Sequence, residues 1–336
     1  MRSILITGGA GFIGSNFLGY FVRKYKDYFL INLDKLTYAG NLDNIRDYDC
    51  LTNYLFHEGD ICNQDLLNNL FTKFDIRGVI HFAAESHVDN SITSPREFIN
   101  TNVIGTFNLL EAARNHWFLS PKTPKDGYEQ CRFHHISTDE VYGSLGEFGA
   151  FKETTAYAPN SPYSASKASS DFLVRSYHHT YGLNVTTSNC SNNYGPMQHN
   201  EKLIPTIIRR ALSNEEIPIY GDGKNIRDWL YVHDHCVAID SIFHNGRNGE
   251  TYNIGGNNEL TNLEVVEIIF SVLGKKRKIN YTSYLDLISF VNDRPGHDYR
   301  YAINSTKIKS ELGWKPEETF ESGISKTIDW YLNNKL

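Results

Sequence analysis

The chain has 336 residues, of which 40% are hydrophobic, and a formal net charge of -6. A chain near this length buries roughly three quarters of its unfolded surface, which is enough for one large core or for two lobes. Lysine and arginine form no dense basic block, so we expect no nucleic-acid partner.

The cysteines, the histidines and the start of the chain bear on metal binding and location. The five cysteines are scattered without paired spacing, which favours reduced thiols over a disulfide framework or a zinc site. The 13 histidines form no group with a third ligand at metal spacing, so no metal is expected. Residues 1–2 lead directly into a strand-like run, leaving no room for a signal peptide, and no apolar stretch approaches membrane-spanning length. We therefore expect a cytoplasmic protein that does not bind a membrane.

Strand-like runs alternate with helix-length segments through the first half of the chain, at residues 4–6, 29–33, 54–57, 78–82, 132–136 and 184–187. This alternation predicts an α/β fold with a Rossmann-type doubly wound parallel sheet, and several of the runs are apolar enough to be covered on both faces. Residues 94–116 and 161–181 carry apolar side chains at helical spacing, so they are predicted to be long helices that flank the sheet.

Beyond residue 190 the elements become shorter and are separated by glycine-rich turns at 221–225 and 255–258. The sequence therefore predicts a Rossmann domain over residues 1–190 and a smaller α/β substrate-binding lobe over 191–336. Residues 226–250, which read as a strand followed by a helix, are predicted to return to the first domain. Further helices are expected at 262–273, 305–312 and 320–333, and an exposed loop at 120–130.

Glycines at positions 8, 11 and 14 follow the first strand directly and precede a helix. This context suits a dinucleotide, because the tight turn lets the backbone approach a pyrophosphate at the free N–H groups of the helix. Asp34 lies at the end of the second strand, where its carboxylate can accept hydrogen bonds from ribose hydroxyls and repel a 2′-phosphate. NAD is therefore favoured over NADP, although Lys35 beside it could serve a phosphate. Asp60-Ile61 and Ala83-Ala84 stand at the carboxyl ends of the next two strands, the usual rim of such a site.

Tyr163 and Lys167 are four residues apart on a predicted helix, so their side chains share one face. Free tyrosine has a pKa near 10, and lowering it to about 7 takes roughly 4 kcal/mol of differential stabilisation of the phenolate. The ammonium group and the positive ring of oxidised NAD are a plausible source of that stabilisation. The pair is therefore a candidate base for oxidising an alcohol, since it follows a dinucleotide fingerprint.

Two adjacent acids, Asp139 and Glu140, come immediately after the fifth strand together with Thr138. Neighbouring side chains on a regular strand point to opposite faces, so both acids can serve one substrate only if the chain leaves strand geometry there. Next to a redox centre, two carboxyl groups indicate elimination of water as a second step.

These residues resemble the extended short-chain dehydrogenases/reductases and, within them, the dTDP-glucose 4,6-dehydratase family. The similarity covers nearly the whole chain, through residues 36–41, 83–89, 137–143, 163–171, 192–196, 226–232 and 293–298. The Thr-Asp-Glu triplet at 138–140 is its specific part, because related epimerases lack the acid pair and GDP-mannose dehydratases typically carry Thr-Ser-Glu. A homodimer formed through the two long helices is what the family implies.

The resemblance also implies a mechanism. Tyr163 would deprotonate the hydroxyl on glucose carbon 4 as hydride passes to NAD, with Thr138 hydrogen-bonding the same oxygen. The ketone acidifies the proton on carbon 5, so Glu140 would remove it while Asp139 donates to the departing hydroxyl on carbon 6. Return of the hydride to carbon 6 would give the 4-keto-6-deoxy sugar, a precursor of deoxysugars such as rhamnose, with NAD regenerated.

Two sets of binding residues follow from the patterns and the resemblance together. The expected NAD-binding set is Gly8, Gly11, Phe12, Ile13, Gly14, Asp34, Lys35, Leu36, Thr37, Asp60, Ile61, Ala83, Ala84, Ser86, Thr101, Tyr163, Lys167 and Asn193. The set expected to bind the nucleotide sugar is Ser86, His87, Thr138, Asn192, Glu201, Lys202, Leu203, Pro218, Ile219, Tyr220, Arg227, Asn262, Arg294 and His297. The two arginines are the candidates for the diphosphate, because a guanidinium can clamp phosphate oxygens in a planar fork.

Other functions stay open on the sequence alone. One is a dehydratase, epimerase or decarboxylase of the same fold that acts on a UDP- or GDP-linked sugar. Another is a regulatory protein that senses NAD without catalysis, which the presence of both Tyr163 and Lys167 disfavours.

Overall fold

The computed structural model describes residues 2–293 and 296–334. The first half of the chain forms β1 Arg2–Thr7, α1 Phe12–Lys24, β2 Tyr28–Asp34, β3 Tyr54–Glu58, α2 Gln64–Phe74, β4 Ile76–His81, α3 Val88–Thr93, α4 Pro95–Phe98, α5 Thr106–Trp117, β5 Phe118–Ser120, β6 Thr123–Pro124, β7 Arg132–Thr138, α6 Pro162–Tyr181 and β8 Val185–Cys190. The second half adds β9 Asn192–Tyr194, α7 Leu203–Ser213, β10 Ile217–Tyr220, β11 Ile226–Tyr231, α8 Val232–Asn245, β12 Thr251–Ile254, β13 Glu259–Thr261, α9 Asn262–Arg277, β14 Ile288–Val291, α10 Thr306–Leu312 and α11 Phe320–Asn333.

The central sheet has seven parallel strands in the order β12-β8-β7-β4-β1-β2-β3. Six of these strands coincide with the six strand-like runs, so the prediction of a Rossmann-type parallel sheet is confirmed. The seventh strand, β12, comes from the second half of the chain and pairs with β8 at the edge.

Helices cover both faces of the sheet because successive apolar residues of the central strands point in opposite directions. Leu5 and Val79 belong to a core that includes residues of α2, α5 and α6. Ile6 and Ile80 belong to a second core that includes residues of α1 and α8. All four side chains are fully buried, which explains why these strands read as continuous apolar runs.

The two predicted long helices are present. Residues 95–117 are helical throughout, although the stretch Ile99–Gly105 between α4 and α5 has π-helical hydrogen bonding. Helix α6 starts at a capping box between Ser161 and Ser164 with Pro162 in its first turn, and it ends at Gly182 in the left-handed conformation. The exposed loop expected at 120–130 contains the short strand β6, which pairs with β5.

The smaller lobe is built around α7, α9 and α11, whose residues Ile207, Ile269 and Ile324 share a core with Trp229. Beside it lie a three-stranded sheet, β13-β11-β9, and a two-stranded sheet, β10-β14. The segment 226–250 is divided, since β11 joins the three-stranded sheet whereas α8 packs on the large sheet. None of the helices within residues 2–293 and 296–334 combines the length and apolarity needed to cross a bilayer.

Candidate active site

A cavity of about 310 Å³ opens at the carboxyl ends of the central strands, where the two lobes meet. Most of the residues predicted to form the site line it, namely Gly8, Gly11, Phe12, Ile13, Gly14, Asp34, Lys35, Thr37, Asp60, Ile61, Ala83, Ala84, Ser86, Thr101, Thr138, Asp139, Glu140, Tyr163, Lys167, Asn192, Asn193, Glu201 and Lys202. The carboxyl edge of a parallel sheet is where such folds bind their ligands.

Two glycines of the loop, Gly8 and Gly14, leave no space for a side chain. Gly8 has φ 74°, and a Cβ built on Gly14 would lie 2.2 Å from the carbonyl oxygen of Gly8. The following helix, α1, begins without a side-chain cap at Gly11, so its first N–H groups face the cavity without a competing side-chain acceptor. This is the geometry that a pyrophosphate needs.

Asp34 and Lys35 have separate partners at the end of β2. The Asp34 carboxylate accepts hydrogen bonds from the backbone N–H groups of Ala10 and Leu36, each at 2.9 Å, and burial raises its pKa. The Lys35 ammonium forms an ion pair with Asp60 at 2.8 Å. Lys35, the cation that could have favoured a 2′-phosphate, is therefore paired with Asp60. This arrangement favours NAD over NADP. Leu36 does not line the cavity, because it turns through φ 54° and offers its N–H to Asp34.

The chain leaves strand geometry at Asp139 and Glu140, which is the condition for both acids to serve one substrate. Asp139 and Glu140 open a single turn of 3₁₀ helix, Asp139–Tyr142, in which Thr138 Oγ1 accepts a hydrogen bond from the N–H of Glu140 at 3.3 Å. Asp139 is only 2% exposed, and its Oδ2 has no hydrogen-bond partner among the described residues. Burial, then the neighbouring Glu140 and Asp228 charges, raise the pKa of Asp139 well above its usual value. The environment thus favours a protonated acid at neutral pH.

Tyr163 and Lys167 face the same cavity from the first turns of α6. Lys167 Nζ donates a hydrogen bond to the carbonyl oxygen of Ile136 at 2.7 Å, and burial lowers its pKa to about 8. Burial, followed by the charge of Glu140, raises the pKa of Tyr163 well above its usual value, while a hydrogen bond with Thr138 opposes this. The protein groups therefore do not lower the pKa of Tyr163 as expected, because burial and the neighbouring acids raise it.

Loops from the second lobe close the other side of the cavity. Lys202 Nζ lies 3.4 Å from the carbonyl oxygen of Ser86, and Glu201 lies 3.7 Å from His87 Nε2. His87 itself caps α3 and stands beside the cavity, not in its lining. The side chain of Asn193 bonds to His235, Ser191 and Cys190, so its amide is held by protein groups at the cavity wall.

Several residues predicted to bind the nucleotide sugar do not line this cavity, namely Leu203, Pro218, Ile219, Tyr220, Arg227, Asn262 and His297. The side chain of Ile219 packs in the core of the small lobe, which leaves it only backbone groups to offer. Arg227 is buried, stacks 4.3 Å from the ring centroid of Tyr301 and donates to the carbonyl oxygens of 226, 298 and 299. Arg294 lies outside the described residues.

The sequence did not single out some residues of the lining, among them Glu85, Ser137, Cys190, Gln198 and His199. Glu85, Ser137 and Cys190 lie at or just beyond the carboxyl ends of strands, the rule that identified Ala83 and Ala84, so the signal for them was present. Gln198 and His199 lie on a loop from the second lobe, where no periodicity marks them. All five cysteines are free, and the described residues contain no group of three or more potential metal ligands.

Comparisons with known proteins agree with this geometry. A family model described as GDP-mannose 4,6 dehydratase matches residues 5–327. A dTDP-glucose 4,6-dehydratase of Xanthomonas campestris is 54% identical over 336 residues, covering 100% of this chain and 94% of that relative. The crystal structure of a dTDP-glucose 4,6-dehydratase from Bacillus anthracis in complex with NAD has a TM-score of 0.87 at 48% identity and covers 100% of this chain and 98% of that one. The enzyme of the same name from Streptomyces venezuelae, with NAD and TDP bound, has a TM-score of 0.89 at 43% identity and covers 99% and 98%.

The fold and the site define an NAD-dependent enzyme of the extended short-chain dehydrogenase/reductase class. The crowded glycines Gly8 and Gly14 and a carboxylate at the end of β2 fit the dinucleotide. The acid pair sets the chain apart from simple oxidoreductases. Within that class, the chain belongs to the dTDP-glucose 4,6-dehydratase family.

Proposed function

We propose that this enzyme dehydrates dTDP-glucose to dTDP-4-keto-6-deoxyglucose with NAD held in the cavity throughout. The observation that carries the proposal is that Asp139 and Glu140 line the same cavity as Tyr163 and Lys167. Oxidation at carbon 4 and elimination across carbons 5 and 6 can then occur on one bound hexose. Bound NAD supplies a reversible hydride acceptor, and the glycine turn with Asp34 would hold it.

In the first step Tyr163 takes the proton from the hydroxyl on carbon 4. Its high pKa in the protein alone means that the phenolate needs further positive charge, which the oxidised nicotinamide supplies beside Lys167. Thr138, which hydrogen-bonds with Tyr163, is placed to hold the same substrate oxygen. A general base of this kind contributes about 10²-fold to 10⁴-fold in rate.

In the second step the two acids act in opposite senses. Glu140 removes the proton on carbon 5, which the new ketone has acidified, and Asp139 donates a proton to the departing hydroxyl on carbon 6. The buried position of Asp139 supports this assignment, because burial raises its pKa and so favours the protonated form that a proton donor needs. The hydride taken from carbon 4 then adds to carbon 6, carbon 5 takes a proton from solvent or from Glu140, which holds the one it removed, and the 4-keto-6-deoxy sugar is released.

The test is to incubate the purified enzyme separately with dTDP-glucose, UDP-glucose and GDP-mannose and to follow the products by mass. Loss of one water from dTDP-glucose, in preference to the other two sugars, is the expected result. A product of unchanged mass and altered stereochemistry would instead indicate an epimerase. Preferred loss of water from the UDP- or GDP-linked sugar would show that the substrate is assigned wrongly but that the reaction is a dehydration.

We further propose that the enzyme is a homodimer that acts in dTDP-rhamnose biosynthesis. Large apolar side chains are exposed on the two long helical segments, at Ile99, Ile104 and Phe107 on one and at Phe172 on the other. A second copy that covers this face would bury them. Light scattering is expected to give twice the chain mass, and Phe172→Arg should shift it toward the monomer. A monomeric wild type would contradict the dimer.

A further inference from the structure

A third ionisable side chain, Asp171, lies on the same face of α6 as the candidate base Tyr163 and Lys167. Tyr163, Lys167 and Asp171 are spaced by four residues on α6, so they form one stripe along the helix. All three are buried, and Asp171 is 6% exposed. A buried carboxylate is costly unless it is paired, so its place one helical turn from Lys167 calls for a physical reason.

Asp171 is held in position by groups from the sheet and from the loop before α6. Its Oδ2 accepts hydrogen bonds from Ser137 Oγ and from the Tyr157 hydroxyl, each at 2.9 Å. Its Oδ1 lies 3.1 Å from Nε2 of His135, a fully buried histidine of β7. The Tyr157 hydroxyl is itself held by Asn189 Nδ2 at 3.2 Å. The carboxylate therefore has little freedom to move away from Lys167.

The ionisable groups around this stripe leave Asp171 as the main counter-charge of Lys167. Burial lowers the pKa of Lys167 to about 8, and Asp171, followed by Cys190, acts against that lowering. Burial raises the pKa of Cys190 to about 12, so that thiol is neutral near pH 7. His135 is also neutral there, because burial and then Lys167 hold its pKa well below the usual value.

The remaining neighbours are His81 and two phenols. Burial, followed by His135 and Lys167, holds the pKa of His81 well below its usual value, so it is neutral near pH 7. Burial raises the pKa values of both Tyr157 and Tyr142, so they carry no charge at neutral pH. Lys167 and Asp171 each act on the pKa of the other. Burial raises the pKa of Asp171 to about 6, and the charge of Lys167 opposes this rise. Between about pH 6 and pH 8 both partners are charged and support each other.

We propose that Asp171 is a positioning residue for the oxidation step, whose fixed carboxylate holds Lys167 in the charged form that supports the Tyr163 phenolate. This inference rests on the proposed function, because it assigns a task to the same candidate base. Asp171 touches neither substrate nor cofactor and acts through Lys167.

The first test is Asp171→Asn, which keeps the size of the side chain and an oxygen acceptor but removes the charge. Without that charge the pKa of Lys167 falls, so its ammonium is lost at lower pH. We expect the alkaline limb of the pH profile for bound-NAD reduction in a single turnover to move down by about one pH unit or more, with about a ten-fold slower step at neutral pH. NAD content and the KM for dTDP-glucose should stay at wild-type values. An alkaline limb at its wild-type position would overturn the proposal.

Tyr157→Phe is the matched second variant, because it removes one hydrogen bond from the carboxylate and leaves both charges. That hydrogen bond lowers the pKa of Asp171, so its loss should move the acid limb to higher pH and leave the alkaline limb in place. The result decides the question even if Asp171→Asn does not fold. If the acid limb also stays where it is in wild type, the charge of Asp171 has no part in the reaction.

A measurement without substrate separates this inference from the proposed function. The side-chain NMR signal of Lys167, assigned with Lys167→Met, should titrate with a midpoint of about 8 in wild type. The midpoint should be lower in Asp171→Asn. If the midpoint is lower in Asp171→Asn than in wild type, but the wild-type enzyme fails to dehydrate dTDP-glucose, the proposed function alone is contradicted. Equal midpoints in the two proteins would contradict the inference alone.

Discussion

The two walls of the cavity are assembled in different ways. The wall expected to face NAD comes from the carboxyl ends of adjacent parallel strands, so each contributing segment follows a strand that the sequence already marks. The wall expected to face the sugar nucleotide comes from loops of the second lobe, such as that carrying Gln198 to Lys202. The first wall is fixed by the large sheet, whereas the second depends on the approach of two lobes. Variants in the first should therefore abolish steps, and variants in the second should weaken substrate binding.

The largest effect is expected on the first wall, for Tyr163→Phe. Loss of the base should slow the reduction of bound NAD by about 10³-fold, within the range for general bases, while NAD stays bound. Single-turnover absorbance of the reduced cofactor measures this rate. Tyr177→Phe is the matched control on the same helix, because its hydroxyl bonds Glu111 away from the cavity. Reduction at the wild-type rate in Tyr163→Phe would show that another group is the base.

Asp139→Asn should separate the two chemical steps on that same wall. Oxidation should remain substantially intact, but loss of water should slow by about 10²-fold, so reduced cofactor accumulates. Glu140 remains in this variant, so carbon 5 should still exchange its hydrogen with deuterated solvent, as NMR of recovered sugar would show. Glu140→Gln is the control in which that exchange stops. Equal damage to oxidation and elimination in Asp139→Asn would argue against a dedicated acid.

A third change tests the glycine turn of the first wall. The Cβ of Gly14→Ala would meet the Gly8 carbonyl oxygen, so we expect a loss of about 1–3 kcal/mol in the free energy of unfolding and a lower NAD content. Gly146→Ala is the control, since no atom lies within 4 Å of its added Cβ. Denaturant unfolding measures both. Similar stabilities for the two variants would mean that the turn can relax.

The smallest effect is expected beside the second wall, for Arg227→Lys, since Arg227 is buried and does not line the cavity. The substitution keeps the charge but loses the planar fork and the stacking on Tyr301. We expect the KM for dTDP-glucose to rise about ten-fold, equivalent to about 1.4 kcal/mol, with NAD content unchanged. A large loss of NAD from this variant would contradict the assignment of NAD binding to the first wall and substrate binding to the second.

Much of the first wall could be predicted from the sequence, because motif and strand are neighbours there. The glycine turn, Asp34 and the acid turn at 138–140 all follow directly from a strand end. Leu36 was predicted to bind NAD but does not line the cavity; it has a left-handed φ of 54°, and its N–H donates to Asp34. No local sequence pattern predicts a left-handed backbone conformation at a leucine.

The second wall was harder to predict for a physical reason. Whether Ile219 or Arg227 reaches a ligand depends on strand pairing and on contacts with segments far along the chain, such as 298–301. The pKa of Tyr163 shows the same limit, since spacing revealed Lys167 but not the burial and the acids that raise the pKa of the phenol. Long-range packing decides these features, and periodicity does not record it.

The proposed reaction requires that one cavity oxidises carbon 4, eliminates water and restores the same hydrogen to the sugar. It can be tested by supplying dTDP-glucose with deuterium on carbon 4 and locating the label in the product by NMR. Deuterium is expected on carbon 6, with none released to solvent. Deuterium that stays on carbon 4, or that is lost to water, would contradict it.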